Sequence, residues 1–171
     1  SNGFSGLPSY GGINIYGASV DGNQITKNIF EGRARQPNGV ILWATTSARR
    51  NFIIGNTFRG HPWAAIDASL SAVSNRIFGN SIFSNGSGVS VGGATENGNR
   101  IESNDIRGGS SGISVTGIAN IVSNNLVSGH AYRGVNVGGT SNRVVRNTID
   151  GGDIAALGME VHSIHAAIVS N

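Results

Sequence analysis

The stretch Asn99–Arg107, Asn-Arg-Ile-Glu-Ser-Asn-Asp-Ile-Arg, decides how this chain of 171 residues folds. Altered copies of it occupy Asn75–Phe83 and Asn142–Asp150, so the shared pattern is Asn-x-[Ile/Val]-x-x-Asn-x-Ile. The second Asn of this pattern recurs along the whole chain, at intervals of 20 to 28 residues. A period of this length that fills a sequence is typical of a solenoid.

Each repeat contains three short segments in which apolar residues alternate with polar or small ones. An aliphatic residue precedes the recurring Asn by three positions, and another apolar residue follows it by two, as Ile101 and Ile106 do around Asn104. A third segment has the pattern Gly-apolar-x-apolar, for example Gly112-Ile-Ser-Val115. Alternation over such short runs predicts β-strands with one buried face.

Three strands per repeat, all running in the same sense, place parallel strands side by side, and parallel strands need a covering layer or closure. No segment has a convincing helical period, so closure into a coil is the remaining solution. The sequence therefore predicts an all-β fold, a single-stranded right-handed parallel β-helix of about seven coils. It forms one domain over residues 1–171. Because neither end carries an obvious cap, we expect a segment of a longer β-helix.

The recurring Asn residues are predicted to form a structural ladder at a bend between two strands. Asn tolerates the left-handed backbone conformation that a sharp bend requires, and stacked amides can hydrogen-bond from coil to coil. The predicted ladder residues are Asn28, Asn56, Asn80, Asn104, Asn124 and Asn147.

Composition excludes several classes of function. Charged residues make up 12% of the chain, with Lys and Arg exceeding Asp and Glu by 12 to 9. Basic and aromatic residues do not alternate as in a nucleic-acid stacking platform, so we expect no nucleic-acid partner. The absence of Cys excludes disulfides and thiolate metal sites. No apolar run approaches the ~18 residues of a membrane span, so no membrane insertion is expected.

The repeat resembles the right-handed parallel β-helix superfamily, which includes pectate-lyase-like enzymes, alginate epimerases, NosD-type proteins and phage tailspikes. The resemblance covers the whole chain and depends on the Asn-x-[Ile/Val]-x-x-Asn-x-[Ile/Leu/Phe] pattern followed by Gly-[Ile/Val]-x-[Val/Ile]. It implies a carbohydrate polymer that lies along a strand face and contacts carboxylates, Arg, Lys or His. The Asp-Pro-His triplet of alginate epimerases is absent, which argues against that branch.

Outward positions supply candidate substrate-binding residues. Arg76, Arg100 and Arg143 each precede a ladder Asn by four positions, with Asn120 between the last two, and such a stripe would match planar carboxylates or sulfates on an acidic glycan. A solvated face is the alternative interpretation. Trp43 would stack on a sugar ring, and Asp67 is expected at the same phase one coil later.

Candidate catalytic residues are Asp67, Glu102 and Asp105. The last two flank Asn104, and a carboxylate pair suits either glycosidase chemistry or Ca²⁺ binding. Neither a cofactor nor a metal site is otherwise expected, because the four His residues lie at unsuitable spacings. Glu31 and Arg59 are expected to form a surface ion pair.

Two functional classes remain open. The first is a β-helix segment that binds or processes an acidic polysaccharide, which as an enzyme would be a polysaccharide lyase or glycoside hydrolase. The second is a non-catalytic structural rod or stacking module of a phage fibre, adhesin or surface protein. The resemblance implies a secreted, cell-surface or virion-surface location, and it suggests homotrimers or end-to-end stacking with other β-helix segments.

Overall fold

The computed structural model describes residues 3–5, 12–32, 38–83, 85–92, 97–150, 157–165 and 167–169. They form 21 strands in three parallel sheets of seven strands each, and successive coils contribute one strand to each sheet. This arrangement is the predicted right-handed parallel β-helix, with about six complete turns.

The chain passes from sheet B to sheet C to sheet A in every coil. Sheet B contains the longest strands, namely β2 (Ile13–Asp21), β5 (Asn38–Arg49), β8 (Ala64–Val73), β11 (Ser87–Val91), β14 (Ser111–Val115), β17 (Arg133–Thr140) and β20 (Leu157–Ile164). Sheet C contains β3 (Gln24–Thr26), β6 (Phe52–Ile54), β9 (Arg76–Phe78), β12 (Arg100–Glu102), β15 (Ile121–Ser123), β18 (Arg143–Val145) and β21 (Ala167–Val169). Sheet A contains β1 (Gly3–Ser5), β4 (Ile29–Glu31), β7 (Thr57–Arg59), β10 (Ser81–Phe83), β13 (Asp105–Arg107), β16 (Leu126–Ser128) and β19 (Thr148–Asp150).

The core is a set of apolar columns along the axis. In the inner strands of sheets A and C the middle residue of each three-residue strand is buried, as in β6, β7, β9 and β10, so the alternation in the sequence corresponds to burial. Phe30 and Phe58 stack at 4.6 Å between ring centroids, with planes 4° apart. The remaining buried columns are aliphatic and include Ile53, Ile77, Ile101, Val122, Val144, Ile82, Ile106, Val127, Val89, Ile113 and Val135.

The asparagine ladder lies at the corner between sheets C and A, and every amide in its middle is fully bonded. In Asn80, Oδ1 accepts from the backbone N (2.9 Å) and the Nδ2 (3.1 Å) of Asn56, while Nδ2 donates to Ile53 O (2.9 Å) and to Oδ1 of Asn104 (2.9 Å). The predicted ladder is confirmed for Asn28, Asn56, Asn80, Asn104 and Asn147, all of which are buried.

The prediction for Asn124 is wrong by one residue, because Asn125 occupies the ladder. Its Oδ1 accepts from the backbone N and Nδ2 of Asn104, both at 2.9 Å, and its Nδ2 donates to Asn147 at 2.8 Å. Asn124 is exposed and has a φ of 56°. The shift also moves Val122 and Val127 into the inward places.

The left-handed residue at this corner precedes the ladder Asn rather than being the ladder Asn itself. Positive φ values occur at Lys27, Gly55, Gly79, Ser103, Asn124 and Arg146. The expectation that the ladder Asn adopts the left-handed conformation is therefore wrong. The ladder position is selected for its amide hydrogen bonds, and the bend is made one residue earlier.

A second asparagine ladder, which the sequence analysis did not separate from the first, lies at the corner between sheets B and C. It consists of Asn23, Asn51, Asn75, Asn99, Asn120 and Asn142. It uses the same geometry, since Oδ1 of Asn99 accepts from the backbone N and the Nδ2 of Asn75, both at 3.0 Å. Two of the three corners of the coil are thus held by amide columns.

The glycine at the second position of β5, Gly39, is required by the aromatic core. A Cβ on Gly39 would lie 2.5 Å from Cδ1 of Phe58 and 2.6 Å from the carbonyl oxygen of Ala65. The inward Phe side chain therefore occupies the space that a side chain at Gly39 would need.

Candidate functional site

An aromatic groove lies on the outer face of sheet B, at its first two strands. Tyr16 of β2 and Trp43 of β5 are 75% and 48% exposed, and their rings meet edge to face with centroids 6.1 Å apart. Asn14, Ile15 and Ile41 complete the lining of a cavity of about 420 Å³. A concave site with exposed aromatic rings and a polar amide can hold a ligand that has both an apolar face and hydroxyl groups.

The predicted pairing of Trp43 with Asp67 is wrong. In the sheet register Asp67 lies beside Ile41, and Trp43 lies beside Leu70. The register between β5 and β8 shifts twice around Trp43, so residues counted from the ladder do not stay in phase there. Asp67 nevertheless lies one coil from the groove, because it neighbours Ile41.

The three predicted catalytic carboxylates do not converge. Asp67 belongs to sheet B, Glu102 to sheet C and Asp105 to sheet A, with the corner at Asn104 between the last two. Asp105 accepts from Arg107 at 2.6 and 2.8 Å on the exposed face of sheet A. Their catalytic roles are therefore supported by no shared site, and the expected Glu102–Asp105 pair is not formed on one face.

Glu102 is held between two arginines of adjacent coils. Arg100 donates from Nε and Nη2 to Oε1 at 3.0 and 2.8 Å, and Arg76 donates from Nε to Oε2 at 3.1 Å. Burial raises the pKa of Glu102, but the hydrogen bonds and charges of Arg100 and Arg76 outweigh it, so the pKa lies below its ordinary value. The guanidinium of Arg76 also covers the ring of Phe78, 4.5 Å from its centroid.

The predicted arginine column is present on sheet C with one correction. Arg76 and Arg100 are register partners, but Ile121, not Asn120, lies between Arg100 and Arg143. Asn120 belongs to the buried ladder instead. On sheet A the predicted surface pair is confirmed, with Nη1 of Arg59 3.4 Å from Oε1 of Glu31.

A charged cluster at the far end of sheet B was missed in the sequence. Glu160 pairs with Nε of Arg133 and, at 2.7 Å, with Nε2 of His162, and the ring of Tyr132 covers Arg133 at 4.3 Å. The hydrogen bond from His162, followed by the charge of Arg133, lowers the pKa of Glu160. The register that places Glu160 beside Asn136 brings these residues together from two coils.

The histidines differ in their surroundings. His61 and His130 are buried in the turns between sheets A and B. Burial lowers the pKa of His130, against smaller effects of hydrogen bonds with the backbone of Ile106 and Gly108. Within the part of the chain that the structure describes, no three His, Asp or Glu side chains form a metal-binding group.

Tyr16 is the site residue that sequence reasoning overlooked. A register shift between Gly17 and Ser19 separates it from the ladder pattern. The available signal was an aromatic residue two positions after the outward Asn14. Trp43 has the same spacing from Ile41, because Asn14 pairs with Ile41 and Tyr16 pairs with Trp43.

Comparison with known proteins bears on the fold and not on the groove. A family model described as "Right handed beta helix region" matches residues 1–152. No curated protein and no solved structure matches the chain. No helix among the described residues is long and apolar enough to cross a membrane. Since the match spans most of the chain and the described strands close into a parallel three-sheet coil, this protein belongs to the right-handed β-helix family.

Proposed function

We propose that this protein binds a polysaccharide on the outer face of sheet B, with sugar rings seated on Tyr16 and Trp43. The observation that carries this proposal is the pair of exposed rings, 6.1 Å apart, inside a groove. Large aromatic side chains that stay exposed and meet each other offer apolar surface to the faces of sugar rings, while their polar atoms remain available to hydroxyl groups.

A column of outward-facing residues that begins at the groove favours a polymer over a single sugar as the ligand. Register partners follow one another in the order Asn14, Ile41, Asp67, Ser90, Ser114 and Asn136. Strands in a sheet are ~4.8 Å apart, so a chain laid along the axis meets a new side chain at every coil. All but Ile41 in this column carry hydrogen-bonding groups.

The positions of the carboxylates favour binding of the polysaccharide without its cleavage. Glycoside hydrolysis normally uses two carboxyl groups about 5 to 9 Å apart across the scissile bond. Among the described residues, this column brings only Asp67 next to the groove. Glycan binding of this kind would suit a secreted, cell-surface or virion-surface protein.

A glycan array followed by calorimetry on the best ligand tests the proposal. We expect Trp43→Ala and Tyr16→Ala to weaken binding by about tenfold each, since aromatic contacts contribute about 0.5–1.5 kcal/mol beyond the area they bury. Trp63→Ala is the matched control, because Trp63 is 67% exposed but lies in the turn before β8, outside the groove. Equal losses in all three variants would contradict a site at the groove.

The alternative is a structural rod. It is favoured by the outer face of sheet B in the central coils, where the outward side chains are small and polar, namely Ser87, Ser90, Ser111 and Ser114. A folded sample that binds no glycan would support the rod, whereas release of shorter products from a bound polymer would establish an enzyme and direct attention to Asp67.

A further inference from the structure

The outer face of sheet C carries more apolar residues than the outer face of sheet A. The middle residue of each inner sheet C strand is buried, so the first and third residues lie on the outer face. The apolar residues at these positions are Phe52, Ile54, Phe78, Ile121, Val145, Ala167 and Val169. In strands β4 to β19 of sheet A they are Ile29, Phe83 and Leu126. A contiguous apolar face on a protein surface indicates an interaction site.

Charged residues lie in the middle of this face. Arg100 donates to Oε1 of Glu102 at 2.8 and 3.0 Å, and Arg76 donates to Oε2 at 3.1 Å. Arg76 also covers the ring of Phe78, 4.5 Å from its centroid. The side chains of Arg76 and Arg100 are still 43% and 53% exposed. Because a guanidinium group has five N–H donors, both arginines can contact a further group from outside.

The two outward positions of each strand are complementary to each other. Two copies of sheet C can face each other with parallel helix axes and a twofold axis between them. The first residue of every strand then lies opposite the third residue of the same strand in the second copy, and each pair occurs twice. Arg100 faces Glu102 in this arrangement, and no two cations of the sheet face each other. The other pairs that combine apolar or cation–π partners are Phe52 with Ile54, Arg76 with Phe78, and Ala167 with Val169.

Antiparallel helix axes do not give this fit. In that arrangement residues at the same strand position face each other, and Arg76, Arg100 and Arg143 all occupy the first position. A register centred on β12 places Arg100 opposite Arg100 of the second copy. A register centred between β12 and β15 places Arg76 opposite Arg143. The charges of the sheet therefore favour the parallel arrangement.

We propose that two copies of this chain associate side by side through the outer faces of sheet C, with parallel helix axes. The face is self-complementary, which favours a twofold dimer over a ring that joins two different faces. Strands ~10 Å long and seven coils that span ~34 Å give a face of about 340 Å² per copy, below the ~800 Å² of a stable complex. The dimer is therefore weak and depends on protein concentration. The aromatic groove lies on sheet B, so this interface does not depend on glycan binding.

Charge exchange in β12 tests the pairing of Arg100 with Glu102, with sedimentation equilibrium as the measurement. Arg100→Glu places like charges opposite each other across the interface, and so does Glu102→Arg. Each variant alone should therefore dimerise at least about tenfold more weakly than the wild type. An equimolar mixture of the two should dimerise to within about threefold of the wild type, because opposite charges then meet in both pairs.

Thermal unfolding verifies that each charge variant is folded, and a role in folding alone would not be restored by mixing. A mixture that associates no better than the separate variants would overturn the proposal. So would a wild type that stays monomeric at all concentrations, or one that forms trimers.

Ile54→Lys tests the apolar part of the interface without changing the charged residues. It places a cation opposite Phe52 of the second copy and should weaken dimerisation at least about tenfold, because burial of an unpaired charge is costly. The matched control is Ile29→Lys on sheet A, which makes the same change at another outward position and should alter dimerisation by less than about twofold. Equal losses in both variants would overturn the proposal, because net charge alone would then explain them.

Cross-linking measures the relative direction of the two copies, since the chain has no Cys of its own. Facing sheets are ~10 Å apart, so a bismaleimide that spans about 12 Å can join the same exposed position in two copies. Thr26→Cys in β3 and Val169→Cys in β21 should each cross-link to themselves, whereas Thr148→Cys on sheet A should not. Cross-links that form only when the Thr26→Cys and Val169→Cys variants are mixed would overturn the parallel arrangement.

Discussion

The asparagine ladder and the arginine column both recur in register along the axis, the second with an interruption at Ile121, yet they have opposite surroundings. Each ladder amide between sheets C and A is buried, and the amides bond to one another and to the backbone. The arginines of sheet C are on the outer face, where Arg76 and Arg100 share one carboxylate and Arg143 has none among the described residues. The two columns have similar spacing in the sequence, but the amides of one are buried and the guanidinium groups of the other are exposed.

The difference decides what each column contributes. A buried donor or acceptor that loses its partner costs about 1–3 kcal/mol, whereas an exposed ion pair contributes about 0–1 kcal/mol. The ladder is therefore expected to contribute more to stability than the arginine column.

Two adjacent residues, Asn125 and Asn124, provide the sharpest test of the ladder. Asn125→Ala removes four hydrogen bonds and leaves buried groups of Asn104 and Ile101 without partners, so we expect a loss of about 3–5 kcal/mol in the free energy of unfolding. Asn124→Gly should change it by less than about 0.5 kcal/mol, because Gly adopts the left-handed conformation without strain. Urea unfolding measures both, and similar losses would contradict the ladder assignment.

The buried His130 makes the free energy of unfolding depend on pH. Burial keeps the pKa of His130 below its ordinary value, so below pH ~6.5 the unfolded chain takes up a proton that the folded chain does not. The free energy of unfolding should therefore decrease as pH falls from about 7 to 5, by at most about 1.4 kcal/mol per pH unit. Urea titrations at several pH values should show that His130→Asn reduces this slope. Equal slopes in wild type and His130→Asn would contradict it.

Glu102 is intermediate between the buried asparagine ladder and the exposed arginines, since its carboxylate is buried by side chains that are themselves half-exposed. Glu102→Gln should lower the free energy of unfolding by about 1 kcal/mol at neutral pH. The pKa of Glu102 is depressed in the folded state, so its contribution is present above the unfolded pKa and lost as pH falls through the folded pKa. The unfolding curves of wild type and variant should converge at low pH, and a constant difference would contradict this account.

The periodic part of the molecule was predictable because each coil repeats one local solution. Five of six ladder residues follow from spacing alone, and so do the inward apolar positions of the central coils other than the coil of Asn125. The error at Asn124 arose where two Asn residues are adjacent, and the deciding feature was the inward fit of Val122. The second ladder was visible as the first Asn of the repeat, for example Asn99, but spacing does not say which polar residues are buried.

The candidate site was less predictable because it depends on register between coils. Glu102 and Asp105 are three residues apart in sequence, yet the corner at Asn104 sends them to different sheets. Trp43 was identified by its residue type, whereas its neighbour Tyr16 depends on pairing between β2 and β5. The β-bulges that shift this pairing cannot be recognised in the sequence repeat. Contacts next to them could therefore not be predicted by counting residues from the ladder Asn.

Arg143 is expected to show the smallest effect on stability. The column that contains Arg76, Arg100 and Arg143 also holds Ile121 and Ala167 at equivalent places, so the fold itself requires no charge there. Arg143→Gln should therefore change the free energy of unfolding by less than about 0.5 kcal/mol, whereas Arg100→Gln, which breaks the contact with Glu102, should lower it by up to about 1 kcal/mol. Thermal and urea unfolding measure both. A loss above about 1 kcal/mol in Arg143→Gln would mean that the arginine column supports the coil as the asparagines do, and the contrast between the two columns would fail.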